Sequence, residues 1–210
     1  MVPLWLLDAP EFARLDFAYI GYSGRLAGLS SLGDYLASII RRALQGELPF
    51  PQKYQRVVMV THSLGGVGVR AALITLARTE PKLFSQVAEC LVLAPPLFGF
   101  HLSRIERLRI VAEVGSILSP VVLDVVNGSP HLEMIRLQYD DLIRNTQGPK
   151  PWSLLRWALY DRVVTDRPAD YIPPPPDTQD SWPYSHAMIA KPDNLQHHFL
   201  VALRDIAARA

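Results

Sequence analysis

Apolar and polar positions along this chain follow two periods. In Ser30–Gln45, Leu32, Tyr35, Leu36, Ile39, Ile40 and Ala43 recur at steps of three and four, with Arg41 and Arg42 near the end. That spacing predicts an amphipathic helix, and Pro49 and Pro51 close it. Phe17–Gly21, Arg56–Thr61 and Cys90–Ala94 are apolar almost throughout, as strands buried on both faces should be. Leu154–Tyr160 predicts a further strand. Leu64–Arg78 reads as a helix, and so does Asp193–Ala208, with Leu195, Phe199, Ala202, Leu203 and Ile206 on one face. Strands alternating with helices predict an α/β fold, a mostly parallel sheet flanked by helices. Residues 101–147 show no clear strand and look helical in pieces, broken at Gly115, Pro120 and Gly128-Ser129-Pro130. Asp166–Pro183 reads as an irregular loop, stiffened by Pro173–Pro176.

At 210 residues the chain suits one large domain, 1–210. Lys and Arg number 21 against 20 Asp and Glu, so the net charge of +1 offers no general field for nucleic acid or an anionic membrane. Cys90 is the single cysteine, which excludes an internal disulfide and a Cys-based metal cluster and fits a reducing, cytoplasmic setting. Met1–Leu7 has no basic flank or long apolar core, so it does not read as a signal peptide. Ile110–Val126 is interrupted by Glu113, Pro120 and Asp124, which argues against a transmembrane span. There is no Gly-rich phosphate loop and no His/Glu pair at metal-binding spacing.

Candidate chemistry concentrates at Val60-Thr61-His62-Ser63-Leu64-Gly65-Gly66. A buried strand runs into a serine and a helix starts at once. Such a turn lifts the hydroxyl clear of the sheet and aims the first helical N–H groups at the place where an oxyanion would form. Gly65 and Gly66 leave room for strand and helix to approach. Further along stand Asp161-Arg162-Val163-Val164, after a predicted strand, and Ser185-His186-Ala187-Met188-Ile189-Ala190-Lys191-Pro192. A serine, an acid and a histidine in that chain order suit a nucleophile, an orienting carboxylate and a general base. Asp166 and Asp177 are rival acids. His197 and His198 fall within a predicted helix, and His101 and His131 in the helical stretch. His62, on the turn itself, cannot readily reach back to its neighbour's hydroxyl and reads as a support residue.

With these segments the chain resembles the α/β-hydrolase superfamily in its lipase-like serine esterase branch, most closely bacterial esterases related to the GPI inositol-deacylase group. Ala94-Pro95-Pro96-Leu97-Phe98-Gly99 stands where such proteins carry a Pro-containing loop after the next strand. The resemblance implies an α/β-hydrolase fold with a catalytic triad of Ser63, Asp161 and His186, and an oxyanion donor in the Leu64 N–H. It implies hydrolysis of a small-molecule ester, without a cofactor. Residues 100–147 occupy the position of a cap, whose apolar positions (Leu102, Ile105, Leu108) suit either a lipophilic substrate or the core.

Two departures from the family pattern temper this. Thr61 stands where the turn usually opens with glycine, and a branched residue is expected to crowd it. Residues 1–16 carry no match to the strand and His-Gly loop that would supply a second oxyanion donor. Trp5–Phe12 reads as a helix, and Met1–Leu7 is too short to replace that strand. The N-terminal part therefore reads as truncated, and an exposed edge is expected beside Arg56–Thr61. These departures favour the alternative of a weak or inactive scaffold that serves as a binding module. The complete Ser/Asp/His order favours the enzyme.

Overall fold

A computed structural model describes residues 10–13, 15–22, 28–99, 124–125, 129–164, 170–194 and 196–209. Four strands, β1 (Val57–His62), β2 (Val87–Leu93), β3 (Trp152–Ala158) and β4 (Thr178–Trp182), form one sheet. Every neighbouring pair is parallel, and the spatial order β1-β2-β3-β4 follows the sequence. Five helices accompany them: α1 (Leu29–Gln45), α2 (Leu64–Thr79), the single turn α3 (Pro81–Phe84), α4 (Pro130–Asn145) and α5 (His198–Arg209).

The near-continuous apolar strands are explained by two cores. Cys90 and Val92 of β2, with Leu155 and Trp157 of β3, pack against α1, α2 and α4. Their neighbours Leu91, Leu93, Leu154 and Ala158 face Phe12 and α5. Alternate side chains thus go to opposite layers, and both layers are covered by helix. α4 lies within the stretch read as a cap, yet its Ile135, Tyr139 and Ile143 belong to the core beside α2. Residues 101–123 lie outside the described residues.

A buried polar cluster ties these layers together. Arg70 of α2 is 1 % exposed, lies over the Tyr139 ring at 4.3 Å and pairs with Asp140 at 3.5 Å. Tyr171 also donates to Asp140, and the Tyr139 and Ser153 hydroxyls are 2.7 Å apart. Asp177 accepts the Ser153 N–H at 2.7 Å, and burial pushes its carboxyl up to about 6 against the opposing pull of Arg70.

Three expectations change. Phe17–Gly21 is not a strand. A strand needs a neighbouring ladder, and among the described residues none reaches this segment. It is held instead by the Tyr35 hydroxyl, which donates to the Gly21 carbonyl, and by Asp16, which accepts from Gln52 and Tyr54. Correspondingly, β1 is a terminal strand of the described sheet, and Val60 is 42 % exposed. Within the proline-rich stretch, Thr178–Trp182 forms β4. Four of its five residues are polar and only Trp182 is apolar, so it carries no alternation that would mark a strand. α5 begins at His198 rather than Asp193, because the Asn194 carboxamide turns back to accept the Gln196 N–H and delays the helix. Pro10–Phe12 is a single 3-10 turn. Residues 1–9, with Met1–Leu7 and most of Trp5–Phe12, lie outside the described residues.

Candidate active site

The carboxyl ends of β1, β3 and β4 share one edge of the sheet, the edge at which open α/β sheets place their ligands. β1 ends at His62 and α2 starts at Leu64, so Ser63 makes the whole turn, at φ 52° and ψ −126°. Its N–H donates to the Leu93 carbonyl at 2.8 Å, and its carbonyl accepts the Gly66 N–H at 2.9 Å. Strand pairing and helix therefore meet at one residue, with its side chain thrown outward. Gly66 allows this: a Cβ there would lie 2.5 Å from Val92 Cγ1 and 3.0 Å from Pro95 Cβ. Leu64 heads α2, where first-turn N–H groups have no intrahelical acceptor. Thr61 does not crowd the turn as expected. It sits within β1, outside the positive-φ region, and a Cβ on Gly65 would meet it only at an ordinary 3.5 Å. The cost falls on its hydroxyl, which is buried without a hydrogen bond among the described residues.

β3 delivers Asp161 and β4 delivers His186. The two loops run side by side, with the Leu159 N–H on the Trp182 carbonyl and the Tyr160 N–H on the Tyr184 carbonyl. Asp161 is 5 % exposed in its side chain. Its Oδ1 accepts the N–H groups of Val163 and Val164 at 2.7 and 2.8 Å, and its Oδ2 lies 2.7 Å from His186 Nδ1. Burial alone would raise this carboxyl. The His186 hydrogen bond and the two backbone donors outweigh burial and hold it below the ordinary carboxylate value. A carboxylate only accepts, so Nδ1 carries the imidazole proton and Nε2 presents a lone pair. Nε2 lies 3.0 Å from Ser63 Oγ and accepts its proton. The structure thus brings Ser63, His186 and Asp161 into one hydrogen-bonded relay from three separate strand ends. A relay of this order can carry a proton from a hydroxyl to an imidazole.

Side chains around the relay fix the His186 loop. His62 Nε2–H donates to the His186 carbonyl at 2.7 Å, with the two rings 4.8 Å apart. Burial lowers the His62 pKa, against the opposing effect of that hydrogen bond. His197 Nε2–H donates to the Met188 carbonyl, and Tyr184 stacks on the His197 ring at 4.1 Å. The Tyr184 hydroxyl meets His198 Nδ1 at 3.0 Å. The rivals are placed elsewhere. Asp177 is buried beside Ser153, His131 pairs with Ser30, and Asp166 and His101 lie outside the described residues. Sequence reasoning missed the Val163 and Val164 N–H groups and the Tyr184 clamp. Backbone donors have no residue signature, and Tyr184 gave only its proximity to His186.

Among the described residues, no group of three His, Cys, Asp or Glu could hold a metal ion. No helix among them is long and apolar enough to cross a membrane. No family model matches the chain, and no curated protein matches it. Solved structures similar to it include a Bacillus licheniformis lipase, BlEst2, at 20 % identity over 61 % of this chain and 48 % of that one, with a TM-score of 0.41. Phospholipase PlaB from Legionella pneumophila matches at 20 % identity over 73 % of this chain and 34 % of its own, with a TM-score of 0.49. A Paleococcus ferrophilus monoacylglycerol lipase matches at 14 % identity over 90 % of this chain and 81 % of its own, also with a TM-score of 0.49. The chain spans about half of the Bacillus lipase and a third of the Legionella phospholipase.

Proposed function

We propose that this chain is a serine hydrolase of the α/β-hydrolase type that cleaves a carboxylic ester through an acyl-enzyme. The observation that carries the reading is the relay itself, 3.0 Å from Ser63 Oγ to His186 Nε2 and 2.7 Å from His186 Nδ1 to Asp161 Oδ2. Ser63 Oγ attacks the ester carbonyl carbon and its proton passes to His186 Nε2. Asp161 keeps the imidazole in the required tautomer and stabilises the cation that forms. The carbonyl oxygen becomes an oxyanion beside the Leu64 N–H, and one such donor is worth about 3 kcal/mol in the transition state. The tetrahedral intermediate collapses, and His186 returns the proton to the departing alcohol. Water, deprotonated by the same imidazole, then cleaves the acyl-Ser63 ester.

A lipophilic substrate fits the apolar rim of the site. Leu159 and Tyr160, directly before Asp161, and Met188, just after His186, are all exposed. Hydrolysis of p-nitrophenyl esters by the full chain tests the assignment. Ser63→Ala is expected to lower kcat by about 10⁴–10⁶ while the protein stays folded. Unchanged hydrolysis by folded Ser63→Ala protein would overturn it.

A further inference from the structure

A second relay of the same three residue types stands outside this site. Ser30, in the first turn of α1, is exposed, and its Oγ lies 3.0 Å from His131 Nε2. His131, in the first turn of α4, places Nδ1 3.3 Å from Asp124 Oδ2. The side chains of His131 and Asp124 are 27 % and 28 % exposed. Asp124 thus stands at ion-pair distance from Nδ1 and favours a proton on that nitrogen. Nε2 of the neutral ring then accepts from the Ser30 hydroxyl.

The surroundings are built around this arrangement. Asp124 Oδ2 also accepts the Leu29 N–H at 2.8 Å, which locks the carboxylate onto the start of α1. Gly28 makes room for it. At φ 148° it adopts a backbone that favours glycine, and a Cβ there would lie 2.7 Å from Asp124 Oδ2. The Leu32 N–H is taken by the Gly28 carbonyl. That leaves the N–H groups of Ser30 and Ser31 as first-turn donors with no intrahelical acceptor, next to the Ser30 hydroxyl. The N-termini of α1 and α4 both meet at this point, and both favour negative charge.

We propose that Ser30 is a second nucleophilic hydroxyl, which takes an acyl or phosphonyl group from activated, unhindered esters independently of Ser63. In the acyl reaction, Ser30 Oγ bonds to the carbonyl carbon and its proton moves to His131 Nε2. The ester C–O bond then breaks and the alcohol leaves with that proton. With a fluorophosphonate, an O–P bond forms, the P–F bond breaks, and fluoride departs with the proton. Ser30 is exposed among the described residues, so small activated, unhindered electrophiles are its class.

The test uses the full chain carrying Ser63→Ala, treated with a fluorophosphonate and, separately, with p-nitrophenyl acetate. Fragment mass spectrometry then locates the adduct. Ser30 is expected to be modified about 10²–10³-fold more slowly than Ser63 in the unmutated chain, the difference that a poorer oxyanion site makes. His131→Gln in the Ser63→Ala background is expected to slow Ser30 about 100-fold, the contribution of a general base. Asp124→Asn, which retains an acceptor for the Leu29 N–H, should slow it as well. Absence of a Ser30 adduct would overturn the proposal. So would a Ser30 rate indifferent to both substitutions, or modification spread evenly over Ser30 and Ser31. Because Ser63 is absent from the test protein, failure here is separate from failure of the Ser63 assignment.

Discussion

Ser63 and Ser30 each donate to an imidazole whose other nitrogen faces an aspartate, but the two relays sit in unlike surroundings. Ser63 is forced out of the backbone between a strand and a helix, and its acid is 5 % exposed and held by two N–H groups. The carbonyl of its histidine is pinned by His62. Ser30 lies inside a regular helical turn, on the surface. Its acid is 28 % exposed and shares its oxygen with the Leu29 N–H. The same three residue types therefore differ in how tightly they are held and how far water is kept away. Reactivity follows from positioning and desolvation as well as from the presence of the groups.

The contrast breaks first on kinetics. Ser63→Ala should remove about 10⁴–10⁶ of ester turnover, whereas Ser30→Ala should leave kcat on p-nitrophenyl esters within about twofold, as measured by initial rates. Asp161→Asn should cost about 10⁴ in kcat, because the amide no longer enforces the Nδ1–H tautomer. Retention of more than a tenth of the rate would mean that another group orients His186.

A pH profile sharpens the contrast only when stability is followed with it. Asp177 has its folded pKa raised to about 6 from 3.8, so the native state holds its proton more tightly than the unfolded chain. Its contribution therefore declines as pH rises from about 4 to about 6, by about 3 kcal/mol in all. Asp177→Asn should flatten urea unfolding midpoints across that window. Asp161 acts with the opposite sign. Its folded pKa is depressed, so the stability it adds is present above the unfolded value and lost as pH falls through the folded one. Midpoints of Asp161→Asn should therefore depend less on pH below about 4.

Smaller effects mark the supporting contacts. His62→Phe removes the hydrogen bond to the His186 carbonyl and should lower kcat about tenfold, the equivalent of one partly buried hydrogen bond, with KM nearly unchanged. An equal rise in KM would instead assign His62 to substrate binding. Asp124→Ala should cost about 1 kcal/mol of stability through the lost cap on α1, read from thermal unfolding.

Much of this was legible in the sequence because the signals were local. The strand-to-helix switch at Ser63 shows in the change of period from Arg56–Thr61 to Leu64–Arg78. Ser63 and Asp161 follow from where two legible strands end, whereas His186 was found through its resemblance to a family segment, because its own strand went unread. Phe17–Gly21 misled because its apolar run has neither burial nor a strand partner among the described residues: Phe17 and Tyr19 are exposed. β4 was hidden because four of the five residues of Thr178–Trp182 are polar and the segment follows a run of prolines. The second relay was invisible because Ser30, Asp124 and His131 are brought together only where two helix ends meet, and each residue has an ordinary helix-terminal explanation.

Ser63 has one more consequence, for how this chain would change over generations. Its φ of 52° with ψ of −126° is a conformation that glycine adopts freely and serine does not. Ser63→Gly should therefore gain roughly 1 kcal/mol of stability while abolishing chemistry at this turn. Selection for folding alone would favour loss of the hydroxyl. A lineage released from selection for hydrolysis would be expected to drift toward glycine at position 63 sooner than at Asp161 or His186, where substitution brings no such backbone relief.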